Sequence, residues 1–295
     1  MTNPALLVTY FCREPAGAES LVETLIRPEA GLALAPVADG EWRNTQTKTR
    51  LWRGRLPGVN EGEAVQLVLN APEPAPRGWQ ILWERLLRAQ DDAPATLAAR
   101  LWGYTLLYQA AVVPGGSQPA EELVQAIPPG PWQGALPCDS SHGQLWLLAT
   151  PQGKGADART VYAVFGPTER EKALARDWTW APGGRLLTLE LALHRGQYQR
   201  RQYQAVAPAV VEAVKALWTT THRLLTDPEG VTAAGGEEAE LQALSARYGR
   251  LSVAASDLRL LHRTLAIQTD NARQVAGELG LADARPIRHL TGPVG

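Results

Sequence analysis

The apolar periodicity of the chain changes once, at Pro182-Gly183-Gly184, and this change limits the folds open to it. Before that point, apolar runs are short, rich in β-branched and aromatic residues, and punctuated by turn residues, as in strands alternating with short helices. Beyond it, turn signals become sparse and apolar residues recur three and four apart, as in helices. The sequence therefore predicts an α+β domain over residues 1–182 followed by a helical domain over 183–295. At 295 residues, each part is long enough to bury a core of its own.

Within the first part, Leu6-Leu7-Val8-Thr9-Tyr10-Phe11 reads as a strand closed by Arg13-Glu14-Pro15. Leu21, Val22, Leu25 and Ile26 share one face of a helix that Pro28 and Gly31 stop. A loop-rich stretch through Asp39-Gly40 follows, then a hairpin of strands Thr49 to Leu56 and Ala64 to Asn70, then a helix over Trp79 to Ala89. The order β-α-β-β-α then recurs. Leu101 to Val113 is an apolar run and Pro119 to Ile127 a short helix; Gly143 to Thr150 and Arg159 to Phe165 are two strands, and Thr168 to Arg176 is a charged amphipathic helix. The reading is two βαββα, ferredoxin-like units at about 1–95 and 96–182. The doublets Leu51-Trp52 and Leu145-Trp146 recur between them. Two such sheets are expected to pack or join about a pseudo-twofold, with a ligand cleft between them.

In the second part, Arg185 to Val206 reads as one helix, and Pro208 restarts another that runs to Leu225. From Leu241 a long helix carries Leu244, Tyr248, Leu251, Ala255, Leu258, His262, Leu265, Thr269, Ala272, Ala276 and Leu279 at alternating three- and four-residue steps, a coiled-coil seam. That seam either packs back on the preceding helices as an antiparallel bundle or faces a partner. His262 and Thr269 place polar groups in it, a device that fixes register or partner choice. Arg263, Asp270 and Asn271 lie along its flank. Leu258, His262, Arg263, Leu265, Asp270 and Asn271 are accordingly the candidate partner-binding residues, and oligomerisation is open.

Charge and cysteine content narrow the function. With 29 Lys+Arg against 30 Asp+Glu, the net charge of -1 supplies no global basic field, so general nucleic-acid binding is disfavoured. Two cysteines, no signal-peptide pattern and no long apolar run predict a cytoplasmic chain without a membrane span. Cys138 and His142 are close in sequence, but the proline-rich connection around them lacks the geometry of a nucleophile turn, and two ligands do not make a zinc site. Gly115-Gly116-Ser117 and Gly153-Lys154-Gly155 lack the full phosphate-cradle pattern, and Asp91-Asp92 has no partner carboxylate. No catalytic, metal or cofactor signature is present, so the expectation is a non-enzyme. Ten Trp against two Phe leave two roles open for the indoles, core packing or an aromatic binding face. Arg50, Trp52, Arg53 and Arg55 interleave on one strand, with Arg53 and Arg55 on one face and Trp52 and Arg50 on the other. Trp52, Arg53 and Arg55 are the candidate ligand-binding residues, by stacking and charge; the bland alternative is a solvated face.

The run Leu186-Leu187-Thr188-Leu189-Glu190-Leu191-Ala192-Leu193-His194 with Tyr198, and the run Leu258 to Ile267 ending in Asp270-Asn271, resemble the helical part of bacterial CATRA (caspase and TPR repeat associated) proteins. The α+β part, with Trp52-Arg53 on a strand, is similar to their first domain. The resemblance implies a sensor or adaptor of a prokaryotic conflict system that acts beside a caspase-like protease or a TPR-containing partner. It brings no catalytic residues. A different class, an RNA- or nucleotide-binding protein made of two ferredoxin-like halves, uses the arginine-bearing strand as its phosphate contact.

Overall fold

All eight residues of β1 (Ala5–Cys12) are buried, and a strand without a solvent face belongs inside a sheet covered on both sides. The computed structural model places it there and describes residues 4–56, 62–91, 100–111, 120–130, 132, 136–140, 143–149, 159–166, 184–226 and 237–278. The other strands are β2 (Ala35–Ala38), β3 (Glu41–Asn44), β4 (Thr49–Arg55), β5 (Glu63–Asn70), β6 (Leu101–Ala111), β7 (Leu136–Ser140), β8 (Gly143–Ala149) and β9 (Arg159–Gly166). They form one sheet in the order β2-β3-β4-β5-β1-β6-β9-β8-β7. Every neighbouring pair is antiparallel except β6 and β9, which run parallel.

Helices α1 (Pro15–Ile26) and α2 (Arg77–Gln90) supply the core of one sheet face. Strand alternation points Leu6, Val8 and Tyr10 of β1 at that face, where they meet Leu21, Leu25, Trp79, Leu82 and Leu86. Trp79 is fully buried, and its indole N–H donates to the Gln109 carbonyl at 3.3 Å, so the largest side chain of this core leaves no orphan donor. Its ring meets Tyr108 edge-on at 6.3 Å. Among the described indoles, Trp79 and Trp102 are buried, Trp42, Trp83 and Trp132 pack partly against the core, Trp52 is half-buried and Trp218 is exposed.

The α+β class stands. The two halves share one continuous sheet that meets at the β1–β6 pair. Counted outward from that pair, β5 and β4 on one side correspond to β9 and β8 on the other, so the Leu-Trp doublets fall on corresponding strands. Direction breaks the symmetry, because β1 and β5 are antiparallel whereas β6 and β9 are parallel.

Two segments read as loops are strands. The stretch before Thr49 holds the β2–β3 hairpin, turned at Asp39-Gly40 with Gly40 at φ +68. The Arg53 N–H donates to the Gly40 carbonyl at 2.8 Å, and a Cβ on Gly40 would stand 2.6 Å from the Arg53 carbonyl oxygen, so this turn admits only glycine without strain. Pro36 is tolerated because β2 is an edge strand. The proline-rich stretch containing Cys138 is β7, at the opposite edge, where Pro137 likewise does no damage to a central ladder. The short helix after β6 is α3 (Ala120–Gln125), and the helix expected over 168–176 lies outside the described residues.

The carboxyl-terminal part is a pair of 42-residue helices, α4 (Arg185–Thr226) and α5 (Glu237–Glu278), in place of the expected bundle of three. Pro208 lies inside α4 and does not restart it. Its missing N–H leaves the Gln204 carbonyl without a helical donor, but both residues are exposed, so water satisfies the group and the helix continues. The chain divides into two compact bodies, residues 1–194 with 271–295, and residues 195–270. Within the second body the Arg247 side chain donates to Thr220 Oγ1 at 3.2 Å and the rings of Tyr203 and His262 lie 6.3 Å apart, which fixes the two helices antiparallel. Among the described residues, no helix is long and apolar enough to cross a membrane.

Candidate functional site

On α5, burial follows the helical period with one column facing inward. Leu251, Leu258 and Leu261 are half-buried, and Leu265, Gln268, Ala272 and Ala276 are buried. Two of the six candidate partner residues, Leu258 and Leu265, therefore belong to the inner face. His262 was expected in that seam and is exposed, as is Tyr248. The inner column passes through Leu261 instead and rejoins the expected seam at Leu265, Ala272 and Ala276, while the exposed His262 ring borders Tyr203 of α4 at 6.3 Å.

A second apolar column, which the seam reading missed, runs along the opposite side of the same helix. Val253, Leu260 and Ile267 recur at seven-residue steps and are all exposed. Each lies two residues beyond an inner leucine or its equivalent, about 200° round the helix. Arg263 follows Leu260 by three residues, and Asp270 and Asn271 follow Ile267 by three and four, the spacings at which helical side chains become neighbours. Three of the predicted partner residues thus gather about Leu260 and Ile267 as a charged and polar rim around an apolar line. The missed signal was the single-position heptad, visible only if one asks which apolar residues the seam leaves over.

A polar row, buried at Thr9, Thr105 and Thr160 and half-buried at Gln66, crosses the sheet on the face opposite α1 and α2. Gln66 of β5, Thr9 of β1, Thr105 of β6 and Thr160 of β9 stand opposite one another in register. The first turns of α4 lie over this row. Thr105 Oγ1 donates to Glu190 Oε2 at 2.8 Å, the Tyr162 hydroxyl donates to Glu190 Oε1, and His194 Nε2 lies 3.2 Å from Thr105 Oγ1 and 3.5 Å from Glu190 Oε2. Phe11 packs on the His194 ring with centroids 5.1 Å apart. Burial by itself raises the Glu190 carboxyl. The hydrogen bond and charge of His194 outweigh it, with help from Tyr162 and Thr105, and hold the group below the usual carboxylate range.

This carboxylate–imidazole pair has the residue types of a general base with its orienting partner. It is sealed: Glu190, His194 and Thr105 are fully buried, and Tyr162 nearly so. A group that performs acid–base chemistry must touch its substrate, so the arrangement serves to pin helix to sheet. Such a pin has a strong penalty for being broken, since each partner left behind is a polar group out of water.

The candidate ligand residues on β4 divide between the two sheet faces as the alternation predicts. Trp52, half-buried, lies flat over Gly54 on the face of the polar row, where a Cβ at residue 54 would collide with the indole. Arg53 lies on the other face and is held by Glu63 through a 2.6 Å ion pair; Arg55 is exposed. The structure therefore does not bring the three to one site. Cys12 is buried, and burial, then the neighbouring Glu63 charge, pushes its thiol up to about 12, which makes it inert. Cys138 is on β7, whereas His142, the glycine loops at 115–117 and 153–155, and Asp92 lie outside the described residues.

No family model, curated protein or solved structure matches the chain.

Proposed function

We propose that the chain is a non-enzymatic adaptor whose helical pair docks a protein partner while the sheet domain recognises a trigger. Following its resemblance to CATRA proteins, the partner is a caspase-like protease or a TPR-containing component of a prokaryotic conflict system. The observation that carries this reading is the exposed Val253, Leu260 and Ile267 column with Arg263, Asp270 and Asn271 beside it. An apolar line in water, rimmed by charge, has the make-up of a helix-mediated interface: a hydrophobic strip for affinity and polar neighbours for register.

The test is co-purification of the tagged chain from its native host, with identification of any caspase-like or TPR protein that accompanies it, followed by affinity measurement. Leu260→Asp is expected to weaken the complex at least about tenfold with helicity unchanged, and added salt to weaken it little. Failure to form a complex, or a complex indifferent to Leu260→Asp, overturns the proposal.

For the fold, we propose that β1, β4, β5 and β6 with α1 and α2 constitute a ferredoxin-like βαββαβ arrangement; the strand order β4-β5-β1-β6, antiparallel throughout, supports it. That order also favours a second reading, nucleic-acid binding on the open sheet face. The half-exposed Trp52 is its best feature. Against it, the central strands that such a platform uses are covered, with Thr9, Phe11 and Thr105 buried.

A further inference from the structure

On α4 the apolar residues also form two columns, and only one of them is covered. Val210 is buried and Leu217 half-buried, and each is followed by an exposed residue about 100° further round the helix, Val211 and Trp218. The outer column consists of Val211, Val214, Trp218 and Leu225, between 48 % and 77 % exposed. Two apolar columns side by side are the pattern of a helix with neighbours on two sides, as in a bundle of more than two helices. α5 supplies one neighbour, and the second is not in this chain's helical pair.

We propose that the second neighbour is α4 of another copy of this chain, running antiparallel and crossing at Trp218. Three of its four members complement one another under a twofold axis, and the fourth, Val214, falls opposite His222. Val211 lies seven residues before Trp218 and Leu225 seven after, so an axis through Trp218 sets each valine against the other copy's leucine and stacks the two indoles at the centre. Charge is compatible with that direction: Glu212 is already paired with Lys215 on its own helix at 2.8 Å, so each copy brings a neutral pair to the crossing.

Area agrees as well. Side chains of these types, half to three-quarters bare, expose on the order of 500 Å² per copy. A standard interface takes roughly 800 Å² from each partner, of which about 57 % is apolar. The column fills that apolar share, and the flanking Glu212, Lys215 and Arg223 supply the rim. A central tryptophan is the commonest energetic anchor of such surfaces. This surface is distinct from the Leu260 face of α5, so the dimer and the adaptor reading stand or fall separately.

Sedimentation of the 295-residue chain at concentrations up to about 100 μM, a range that captures micromolar self-association, reads the result directly. The wild type is expected at twice 31.9 kDa. Trp218→Glu is expected to sediment as a monomer, with a dissociation constant raised about 100-fold or more and with unchanged helicity. Leu225→Asp gives the same result in milder form, and Leu260→Asp leaves the dimer intact. A mixture of Val211→Cys and Leu225→Cys chains is expected to form the mixed disulfide in preference to either like pair. A monomeric wild type overturns the proposal and assigns the column to a helix of different sequence. A dimer that survives Trp218→Glu, or cross-linking of like with like, overturns it too.

Discussion

Replacing Glu190 with alanine tests the pin between α4 and the sheet. In the wild type one carboxylate accepts from Thr105 and Tyr162 and lies beside His194, all within a site closed to solvent. Alanine removes the acceptor and strands a hydroxyl, a phenol and an imidazole in that site. Each buried polar group left without its partner costs about 1–3 kcal/mol, so the three together cost about 3 kcal/mol or more, a large part of the ~5–15 kcal/mol that holds a domain folded. With a urea slope of about 1–3 kcal/mol/M, the midpoint should fall by about 1 M or more. The assay is urea unfolding followed by far-ultraviolet circular dichroism, with hydrogen exchange at the amides of β6 and β9 to locate the loss. Glu190→Gln adds a pH arm. Because the folded carboxyl titrates below its unfolded value of about 4.3, the unfolded chain binds the extra proton first, and stability falls as pH drops below that value through the folded one. The glutamine variant, less stable at neutral pH, should lack this part of the acid dependence. A midpoint that moves by less than about 0.3 M in Glu190→Ala, or an acid limb identical in Glu190→Gln and wild type, would refute the reasoning.

Gly40→Ala should lower stability by about 2–4 kcal/mol, since it combines a left-handed φ with a Cβ placed on the Arg53 carbonyl; an unchanged urea midpoint would show that the turn relaxes. Leu265→Asp buries a charge on the inner face of α5 and should lower the thermal midpoint of the helical pair, about 3–5 kcal/mol, while hydrogen exchange in β1 stays as in the wild type. Retained helical stability would remove Leu265 from the inner column.

The legible parts of the fold are those where local pattern and tertiary demand coincide. Leu6 to Phe11 is apolar on both faces because both faces are covered, and Leu82 and Leu86 share the stripe that α2 turns to the sheet. The β2–β3 hairpin was hidden because the edge strand β2 is exposed along its length and β3 beside it only half-buried, so neither needs an apolar face, although Asp39-Gly40 is the residue pair that a tight hairpin turn prefers. Pro208 misled for the opposite reason: a local rule was applied where solvent could satisfy the carbonyl it orphans. The Glu190 cluster had half a signal. Leu186, Leu187, Leu189, Leu191 and Leu193 surround Glu190 and His194, so the helix is apolar on every side, and a helix of that kind is buried with any polar residue in need of a partner. The partners themselves, Thr105 and Tyr162, lie 85 and 28 residues away and are chosen by sheet register, which no local pattern encodes.

The central place of β1 also governs how the chain is made. It leaves the ribosome before either neighbour, and the residue that Thr9 meets on β5 follows 57 positions later. Its other flank stays open until β6 arrives. During that interval an oily, extended segment offers two unsatisfied edges to any nascent chain nearby, the condition that favours misassembly over native closure. Placing β1 in the middle thus makes its closure depend on pairings far along the chain, the kind of contact that slows folding in general.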